Sequence, residues 1–554
     1  MSGPALEVRE GGARYFVQRE LPLTGSFEML ATALQAVVKL RALITRLAVQ
    51  GRLVCQEVGD VPTDLKALQR SAPAKLKSAR PTLAFLDAIP NGWTLARLGD
   101  VFTLQYGSSL PAKVRRAGQV PVYGSNGVVG HHSDALVFEP SLVIGRKGSV
   151  GAVNVARKPF WPIDTSYFVT PPKCVALEFS HLLFQSLDLG KHDKATAIPG
   201  INRNDVYAEP VLVPPLAEQR RIVARVEELM KLCDALEQSG RLADEQHARL
   251  TSTLFDALAA SESAHALAEN WQRIAEHFDL LLDRPEAVAA LEQTILQLAV
   301  RGLLVAQDAG DESAADLLVR IRSERDRLIS EGQIRKDRPA PVPGDDALPC
   351  ALPCSWVWAR FGAVVHASEA GWSPNCEGGQ RAGSSWGVLK VSAVSWGEFR
   401  SYENKELPRH LEARIGFEVR NGDFLISRAN TAELVARSVV VSHAEPRLMM
   451  SDKIIRLRLS SFVDRQFFNL VNNSRFAREY YAANASGTSS SMKNVGREVI
   501  LGMPVPVPPL AEQHRIVARV EELRLLCTQL RERLSAARRT QSQLADAMVA
   551  EVLA

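Results

Sequence analysis

Val213-Pro214-Pro215-Leu216-Ala217-Glu218-Gln219 is repeated 294 residues later as Val507-Pro508-Pro509-Leu510-Ala511-Glu512-Gln513. The two copies stay in step over 17 positions, and Arg220 against His514 is the one difference between them. A proline pair can precede a helix but cannot lie inside one, so each copy marks the start of a helix. A repeat of this fidelity predicts an internally duplicated chain with two-fold pseudosymmetry. Such a molecule suits a target with two halves, or a pair of identical partners.

Two shorter repeats precede each copy of this motif. Leu47-Ala48-Val49-Gln50-Gly51 is similar to Leu298-Ala299-Val300-Arg301-Gly302 at an offset of 251, after apolar residues spaced three and four apart. That spacing predicts a short helix, and a glycine is common just past a helix end. Pro90-x-x-Trp93 likewise matches Pro353-x-x-Trp356 at an offset of 263. Each half is therefore predicted to run from a short helix through a Pro-x-x-Trp motif and a variable block to a long helix.

Apolar residues at alternating steps of four and three follow each Pro-Pro pair, and this heptad pattern predicts a coiled coil. The first copy has Ile222, Val226, Leu229, Cys233, Leu236, Gly240, Ala243, His247, Leu250, Leu254 and Ala257. The second copy has Ile516, Val520, Leu523, Cys527, Leu530, Leu534, Ala537, Gln541, Leu544 and Met548. The polar residues His247 and Gln541 are expected to fix the register of the helices, and Cys233 and Cys527 to be small buried side chains.

The composition is that of a multidomain globular protein, with 554 residues of which 46% are hydrophobic and 23% charged. No uninterrupted apolar stretch approaches the ~20 residues of a membrane-spanning helix, and charged residues interrupt the start of the chain where a signal peptide would lie. Seven cysteines, an odd number, argue against a disulfide scaffold. The sequence therefore predicts a protein of the reducing cytoplasm.

Positive charge is concentrated in the two variable blocks. Residues 106–203 hold 11 Lys and Arg against 6 Asp and Glu, and residues 377–498 hold 18 against 13. Each block thus carries a net charge of +5, and the rest of the chain carries 4 − 10 = −6. A polyanion such as DNA would be attracted to the basic blocks, although ordinary charge scatter explains the same numbers.

The variable blocks are predicted to mix short strands with loops and helices, which places the chain in the α+β class. In the first block, residues 120–130 carry an Asn-Gly pair and predict a β-hairpin. In the second block, residues 424–427, 438–441 and 453–459 are predicted strands.

Motifs of catalysis are absent from the sequence. There is no Walker A loop, no His-Glu-x-x-His motif and no Asn-Pro-Pro-aromatic motif of the kind that amino-methyltransferases need to hold a target base. Cys350-x-x-x-Cys354 with His366 and Cys376 lacks the regular spacing of a zinc site. We therefore predict no catalytic residue, no metal site and no cofactor in this chain, which favours a binding scaffold over an enzyme.

Several stretches together resemble the specificity subunit of type I restriction–modification systems, the HsdS family, over nearly the whole chain. The stretches that carry the resemblance are 122–127, 144–151, 161–165 and 197–206 in the first half, 426–431 and 448–454 in the second, and the two Pro-Pro-Leu-Ala-Glu-Gln motifs. The resemblance implies two mixed α/β target-recognition domains, separated by a pair of long antiparallel coiled-coil helices. The implied segments are an N-terminal helical segment and linker (1–88), a first target-recognition domain (89–215), a central helical region (216–338), a second target-recognition domain (339–509) and a C-terminal long helix (510–554).

The resemblance also implies a function. Each target-recognition domain would read one half of a split, asymmetric site in double-stranded DNA, and the long helices would dock two modification (methyltransferase) subunits. Restriction subunits could join them, and these partners rather than this chain would bind S-adenosylmethionine, ATP and Mg²⁺. An orphan DNA-binding scaffold or inhibitor of the same fold is the alternative, and a self-contained methyltransferase–nuclease is disfavoured by the missing motifs. The extra tryptophan-rich stretch from Trp372 to Trp396 in the second block predicts that the two half-sites differ.

Candidate DNA-binding residues lie in the stretches that carry the resemblance and in the polar loops just before the two Pro-Pro motifs. They are Tyr123, Ser125, Asn126, Arg146, Lys147, Ser149, Thr196, Asn202, Arg203, Ser427, Arg428, Asn430, Thr431, Lys453, Thr488, Lys493 and Asn494. Arginine can bond to guanine and asparagine to adenine in the major groove, and both can also bind phosphate. A structural role for Arg146 and Arg428, paired with Asp164 and Asp452, is the alternative. The residues expected to dock partners on the long helices are Ile222, Val226, Leu229, Ile516, Val520 and Leu523.

Overall fold

The computed structural model describes residues 36–57, 59–63, 89–192, 200–334, 350–376, 378–395, 397–487 and 492–553. They form two compact units, Met1–Asp244 with Ala537–Ala554, and Glu245–Ala536. Helices and strands are mixed in both, as the sequence predicts. In the described ranges, no helix combines the length and the apolar character needed to cross a lipid bilayer. The candidate sites at Thr196 and Thr488 lie outside the described residues.

The first unit surrounds three small sheets with helices. Its helices are α1 (Ala36–Val49), α2 (Leu98–Val101), α3 (Leu177–Ser186), α4 (Arg203–Tyr207) and the first part of α5 (Leu216–Ala259). Its strands are β1 (Thr94–Arg97), β2 (Gln105–Tyr106), β3 (Val120–Gly124), β4 (Gly127–His132), β5 (Ser141–Gly145), β6 (Val153–Ala156), β7 (Trp161–Pro162), β8 (Ser166–Val169) and β9 (Pro210–Val213). The sheet orders are β1-β9, β2-β8-β5-β6 and β4-β3-β7, and β3 pairs with β7 in parallel.

The second unit repeats this plan with additional helices. Its helices are α6 (Ala264–Glu276), α7 (Phe278–Leu281), α8 (Pro285–Val300), α9 (Ala314–Ser330), α10 (Arg465–Asn473), α11 (Arg475–Asn484), α12 (Arg497–Gly502) and most of α13 (Leu510–Leu553). Its strands are β10 (Val357–Arg360), β11 (Val365–Ala370), β12 (Gly387–Leu389), β13 (Asn404–Glu406), β14 (Phe424–Ser427), β15 (Ala429–Asn430), β16 (Ser438–Val440), β17 (Leu448–Met449), β18 (Ile454–Leu459), β19 (Lys493–Asn494) and β20 (Pro504–Val507). The sheet orders are β10-β20, β11-β18-β14-β16, β13-β12-β17 and β15-β19.

The strand predictions for the variable blocks are confirmed. The hairpin around the Asn-Gly pair is β3 and β4, and Gly127 adopts the left-handed φ of 107° that such a tight turn requires. In the second unit, the strands predicted at 424–427, 438–441 and 453–459 correspond to β14, β16 and β18, which lie side by side in one antiparallel sheet. Short apolar runs therefore located the strands correctly, whereas their order in the sheets had no signature in the sequence.

The three sequence repeats of each half meet at one place in each unit. In the first unit, Gly51 follows α1 with a φ of +72°, and a Cβ there would lie 2.9 Å from Pro90 Cγ and 3.0 Å from Trp93 Cζ2. In the second, Gly302 follows α8 with the same φ and would meet Pro353 Cγ at 2.6 Å. Glycine is thus required twice over, because the backbone is left-handed and the Pro-x-x-Trp motif packs directly on it.

A buried carboxylate connects this junction to the start of each long helix. Glu218 has no exposed surface, and the indole Nε1 of Trp93 donates a hydrogen bond to its Oε1 at 3.0 Å. Glu512 is equally buried and accepts from Trp356 Nε1 at 2.9 Å. Burial raises the pKa of both Glu218 and Glu512, against the lowering effect of the indole hydrogen bonds. The glutamate of the repeated motif therefore holds the tryptophan of the repeated Pro-x-x-Trp motif.

The glutamine of the motif ties each long helix to a helix of the same unit. Gln219 Oε1 accepts from the N-cap nitrogen of α3, Ala176 N, at 2.7 Å, and Gln513 Oε1 accepts from the N-cap nitrogen of α10, Asp464 N, at 2.8 Å. Their amide nitrogens donate to the carbonyl oxygens of Pro214 and Pro508 at 2.8 and 2.9 Å. Both glutamines are fully buried, so each amide meets its hydrogen-bonding needs inside the protein.

An arginine–aspartate pair closes the same junction from outside. Arg221 binds the Asp60 carboxylate through two nitrogens at 2.6 and 3.2 Å. Arg515 binds Asp311 in the same way at 2.7 and 3.3 Å. The hydrogen bond from Arg221 is the main cause that lowers the pKa of Asp60. Two parallel hydrogen bonds fix the orientation of both partners, so the segment after each short helix is fastened to the first turns of the long helix.

The predicted heptad seam is wrong at Leu250 and Leu544, whereas the predicted Leu254 and Met548 pack against hydrophobic clusters. Leu250 and Leu544 are 55% and 45% exposed, whereas the next residues, Thr251 and Ala545, are buried. After His247 and Gln541 the buried stripe takes a step of four residues where the prediction has a step of three, and this moves the stripe by one position. Cys233 and Cys527 are buried as predicted. His247 contacts the carbonyl oxygen of Leu280 at 3.0 Å, so it packs against the segment before α8.

Removal of the indole donor should destabilise the first unit more than the second. Trp93→Phe leaves the buried Glu218 carboxylate without its hydrogen bond, whereas Trp356→Phe leaves Glu512 with its bond from Gln307. We expect Trp93→Phe to cost about 1–3 kcal/mol of unfolding free energy, and Trp356→Phe to cost less. Urea unfolding followed by circular dichroism measures both, and Glu218→Met in the Trp93→Phe background should recover part of the loss. Equal losses for the two single variants would contradict this account.

Candidate nucleic-acid interface

A loop that follows β5 presents the first candidate arginine. Backbone N–H groups of Arg146 and Lys147 donate to the carbonyl oxygen of Thr165 at 2.9 and 3.1 Å. Ile201 N donates to the carbonyl oxygen of Arg146 at 3.1 Å. Three segments that are far apart in sequence are therefore held together at one end of the β2-β8-β5-β6 sheet. The sequence motifs around 146, 165 and 201 belong to one structural site.

Two candidate arginines of this site lie against the same tyrosine ring. The guanidinium carbon of Arg146 is 4.9 Å from the ring centroid of Tyr106, and that of Arg203 is 5.1 Å from it. The Tyr106 ring in turn packs on Tyr167, with 5.0 Å between centroids. Burial raises the pKa of Tyr167 to about 12, with a further contribution from its hydrogen bond with Tyr106, so Tyr167 is neutral at physiological pH. The sequence missed Tyr106 because no repeated motif includes it.

The second unit builds the same loop around Arg428. Arg428 N donates to the carbonyl oxygen of Lys453 at 2.8 Å, and Val495 N donates to the carbonyl oxygen of Arg428 at 2.9 Å. Lys453 and Val495 occupy the places that Thr165 and Ile201 have in the first unit. Asn430 pairs with Lys493 and Ala429 with Asn494 in the β15-β19 ladder, so these candidates are also brought together.

Glycines at matching places allow both loops to form. A Cβ on Gly107 would lie 2.1 Å from the carbonyl oxygen of Ile163, and one on Gly371 would lie 2.1 Å from that of Met450. The backbone contacts next to them match as well, because Gly107 N donates to Ser166 O and Gly371 N to Ile454 O. The two units therefore share a backbone frame, while the side chains on that frame differ.

This geometry can be compared with known proteins. A family model described as the type I restriction modification DNA specificity domain matches residues 90–244. The chain is 33% identical over 564 residues to the type I restriction enzyme EcoEI specificity subunit of Escherichia coli, with 93% of each chain covered. It is 28% identical over 577 residues to the EcoAI specificity subunit of the same species, again with 93% of each covered. The chain belongs to the family of type I restriction enzyme specificity subunits.

A solved structure is also similar to this specificity-subunit chain. The HsdS subunit from Thermoanaerobacter tengcongensis is 18% identical, with a TM-score of 0.36 and coverage of 84% of this chain and 97% of that one. The DNA specificity domain matched at residues 90–244 contains Tyr106, Arg146 and Arg203.

Arg146 and Arg428 of this specificity subunit do not form the ion pairs with Asp164 and Asp452 that were expected for a structural role. Arg146 Nη1 donates to the backbone carbonyl oxygen of Asp164 at 3.0 Å, not to its carboxylate. The Asp452 carboxylate accepts a hydrogen bond from the hydroxyl of Ser373 instead of pairing with Arg428. In the part of the chain that the structure describes, no hydrogen-bond acceptor contacts the Arg428 guanidinium. A salt bridge to the neighbouring aspartate therefore does not account for either arginine.

Several other candidate side chains form hydrogen bonds within the fold. Ser427 is fully buried and its hydroxyl donates to the carbonyl oxygen of Leu434 at 3.0 Å, so its choice as a DNA contact is wrong. Asn430 Nδ2 donates to Ser395 Oγ at 2.9 Å, and Lys493 Nζ donates to the carbonyl oxygen of Gly487 at 2.7 Å. The Asn202 side chain caps α4 by accepting from Asn204 N at 3.0 Å.

The remaining candidates differ in exposure. The Tyr123 ring packs edge-on against Phe160, with 5.5 Å between centroids. Ser125 and Thr431 are half-buried. The exposed candidates that stay available for a ligand are Asn126, Lys147, Ser149, Lys453 and Asn494. Among the described residues, no group of three or more His, Cys, Asp or Glu could hold a metal ion.

The residues chosen for partner docking are mostly covered. Ile222 and Val226 lie in the hydrophobic core of the first unit, and Ile516 and Val520 lie in that of the second. Leu229 and Leu523 are half-buried. The choice of these four core residues is therefore wrong, because the seam pattern marks the helix face that packs within each unit. The exposed leucines at equivalent positions are Leu232 and Leu526, at 61% and 54% exposure.

Proposed function

We propose that this chain reads a split, asymmetric site in double-stranded DNA for a type I restriction–modification complex, one half-site per unit. The observation that carries the proposal is the loop built alike around Arg146 and Arg428, each held by a pair of equivalent backbone hydrogen bonds. The surrounding blocks differ widely in sequence. A shared place for an arginine on two different surfaces supports a shared task with different targets.

The chemistry of the two loops suits DNA. Arginine donates two hydrogen bonds to the O6 and N7 atoms of guanine in the major groove, and exposed lysines such as Lys147 and Lys453 suit phosphate. The net charge of +5 on each block adds long-range attraction to the phosphate backbone. The two loops have different surroundings, since Trp372 stacks with Arg414 at 4.1 Å in the second unit. Different half-site sequences follow from these differences.

We also propose the finer architecture implied by the duplication, two halves related by a pseudo-two-fold axis with an antiparallel pair of long helices. Contacts in the first unit support it. The end of α1 lies near the start of α5 through Gly51 and Trp93, while Arg41, earlier in α1, contacts Glu237 further along α5. The short helix α1 and the long helix α5 therefore run in opposite directions. On its other side, Lys39 of α1 binds Asp546 near the end of α13 at 2.7 Å.

Catalysis in the assembly would belong to partner subunits. Two modification subunits would bind S-adenosylmethionine and methylate adenine, and restriction subunits would use ATP and Mg²⁺. The sequence of this chain lacks the motifs that such reactions require. The exposed, equivalently placed Leu232 and Leu526 are the docking residues that we propose on the long helices. Each would be covered by one copy of the same partner.

Reconstitution tests the proposal. We expect the purified chain alone to transfer no methyl group, and its complex with the cognate modification subunit to methylate adenine at one split motif. Methylation mapping by single-molecule sequencing gives the motif and its spacing. A chain that methylates DNA by itself, or a complex that methylates without a split motif, would exclude the proposed role.

The two arginines should affect different half-sites. Arg146→Ala should weaken binding through the first half-site and Arg428→Ala through the second, each by about 1–3 kcal/mol if a bidentate base contact is lost. Equilibrium binding to DNA with either half-site scrambled measures this effect. Loss of a phosphate contact would instead weaken binding to every sequence and flatten the dependence on salt. Unchanged affinity of folded variants for specific and random DNA would return both arginines to a structural role.

A further inference from the structure

The first unit places two arginines on one aromatic ring, an arrangement that the described residues of the second unit do not repeat. Tyr106 is 49% exposed, so its ring lies at the surface with Arg146 and Arg203 against it. The stretches containing these arginines are separated by more than fifty residues, and only the folded chain joins them. A cation beside an aromatic face is attracted by the electron density of the ring. Tyr106 therefore restrains two guanidinium groups that would otherwise move independently.

Each guanidinium also donates a hydrogen bond to a backbone carbonyl oxygen. Arg146 Nη1 donates to Asp164 O at 3.0 Å, and Arg203 Nη1 donates to Leu104 O at 3.3 Å. A guanidinium has five N–H donors, so each keeps donors beyond the one that its carbonyl uses. Restraint before binding reduces the entropy lost when a ligand is bound. The cluster is thus a prepared set of donors for acceptor atoms.

The matching positions of the second unit lack the ring. Tyr106 pairs with Tyr167 across β2 and β8, and the corresponding pair across β11 and β18 is Ala370 with Ile455. Tyr106 and Ala370 directly precede the equivalent glycines, Gly107 and Gly371, so the two pairs occupy matching places in the structure. Arg428 therefore stands on the same backbone frame without a tyrosine beneath it.

We propose that Tyr106 is the positioning residue of the first half-site and presents Arg146 and Arg203 to DNA as one unit. The inference rests on the proposed function and names the residue that makes the two half-sites chemically unequal. The acceptors are oxygen and nitrogen atoms of DNA, on a guanine edge or on a phosphate, and the test separates the two. Tyr106 acts through the arginines and needs no contact with DNA itself.

The test compares Tyr106→Leu with Tyr106→Phe in the complex of the full chain with its modification subunits. Leucine keeps an apolar side chain but removes the aromatic face, whereas phenylalanine keeps it. Tyr402→Leu, at an exposed tyrosine of the second unit, is the matched control. The readouts are affinity for the cognate site, for sites altered in one half, and the slope of affinity against salt. Circular dichroism verifies that each variant is folded.

Tyr106→Leu should reduce discrimination at the first half-site by about tenfold, with the second half-site unchanged and Tyr106→Phe close to wild type. That outcome assigns the unit to a guanine edge. A uniform loss with a flatter salt slope, again rescued by phenylalanine, assigns it to phosphate. Wild-type behaviour of folded Tyr106→Leu, or a loss that Tyr106→Phe shares, overturns the inference. The proposed function fails separately, if the wild-type complex has no split-site preference.

A second, independent observation concerns which short helix packs against which long helix. In the first unit, Arg41 of α1 binds Asp234 of α5 at 2.6 Å and Glu237 at 3.1 Å. In the second unit, Glu292 of α8 binds Arg531 of α13 at 2.5 Å. By the offsets of 251 and 294, Glu292 is the equivalent of Arg41, and Arg531 is the equivalent of Glu237. The same ion pair is therefore present in both units with its charges exchanged.

The charge exchange extends along the long helices. The residues of α5 near Arg41 are Met230, Asp234 and Glu237, and their equivalents in α13 are Arg524, Thr528 and Arg531. One stripe thus carries two negative charges and the other two positive ones. If α1 packed in the place of α8, Arg41 would face Arg531. The reverse exchange would bring Glu292 against Glu237 and Asp234.

We infer that this charge inversion assigns each short helix to its own long helix. A duplicated chain has two nearly identical docking sites, so apolar packing alone selects poorly between them. When a short helix packs against the wrong long helix, like charges face each other and destabilise the contact, both within one chain and between two copies of the chain. The inference concerns assembly of the fold and stands whether or not the chain binds DNA.

Charge reversal of both sides tests this inference in the full chain. The variant R41E/E292R and the variant E237R/R531E should each lower the thermal midpoint by about 2–4 °C. The quadruple variant reverses the Arg41–Glu237 and Glu292–Arg531 pairs but leaves Asp234 unchanged, so it should recover part of the loss. The control R225E/E228R reverses an exposed pair within α5 and should leave the midpoint unchanged. A quadruple variant that loses the sum of the two double variants overturns the inference.

Discussion

The hydrogen bond from a tryptophan indole to a fully buried glutamate is the interaction on which each half of this chain depends. It joins the Pro-x-x-Trp motif, the glycine past the short helix and the first turn of the long helix at one point. A buried carboxylate without a partner is costly, so the bond constrains both the position of the tryptophan and the start of the helix. The repeated motifs are conspicuous in the sequence because this junction occurs twice.

Residues next to this junction position the rest of each unit. The glutamine beside the glutamate binds the N-terminus of a helix in the recognition block, and the arginine two residues later binds the segment after the short helix. The small β1-β9 and β10-β20 sheets close the block beside the long helix. The variable loops are carried on this frame, so their side chains can differ while the arginines keep equivalent places.

The two units differ where the proposed function requires a difference. Arg146 and Arg203 both lie against Tyr106, whereas Arg428 has the same backbone frame with Ala370 at the position equivalent to Tyr106. The ion pairs between short and long helices are also opposite in charge. The two units thus share one backbone frame and carry different side chains on it. A split site with unequal halves is the target that such a molecule fits.

The sequence by itself determined the duplication, the helix starts at the Pro-Pro pairs, the main strands and the family, because these depend on local patterns and on motifs that repeat. It also marked Arg146, Arg203 and Arg428. It could not place Tyr106, since that residue matters only through rings and loops distant in sequence, and it misjudged Ser427, whose hydroxyl is buried. The heptad rule failed at Leu250 because packing against the helix moved the buried position by one residue, to Thr251. Tertiary packing also decided that Ile222 and Val226 face the core of their own unit, since an apolar stripe in a sequence does not say which surface will cover it.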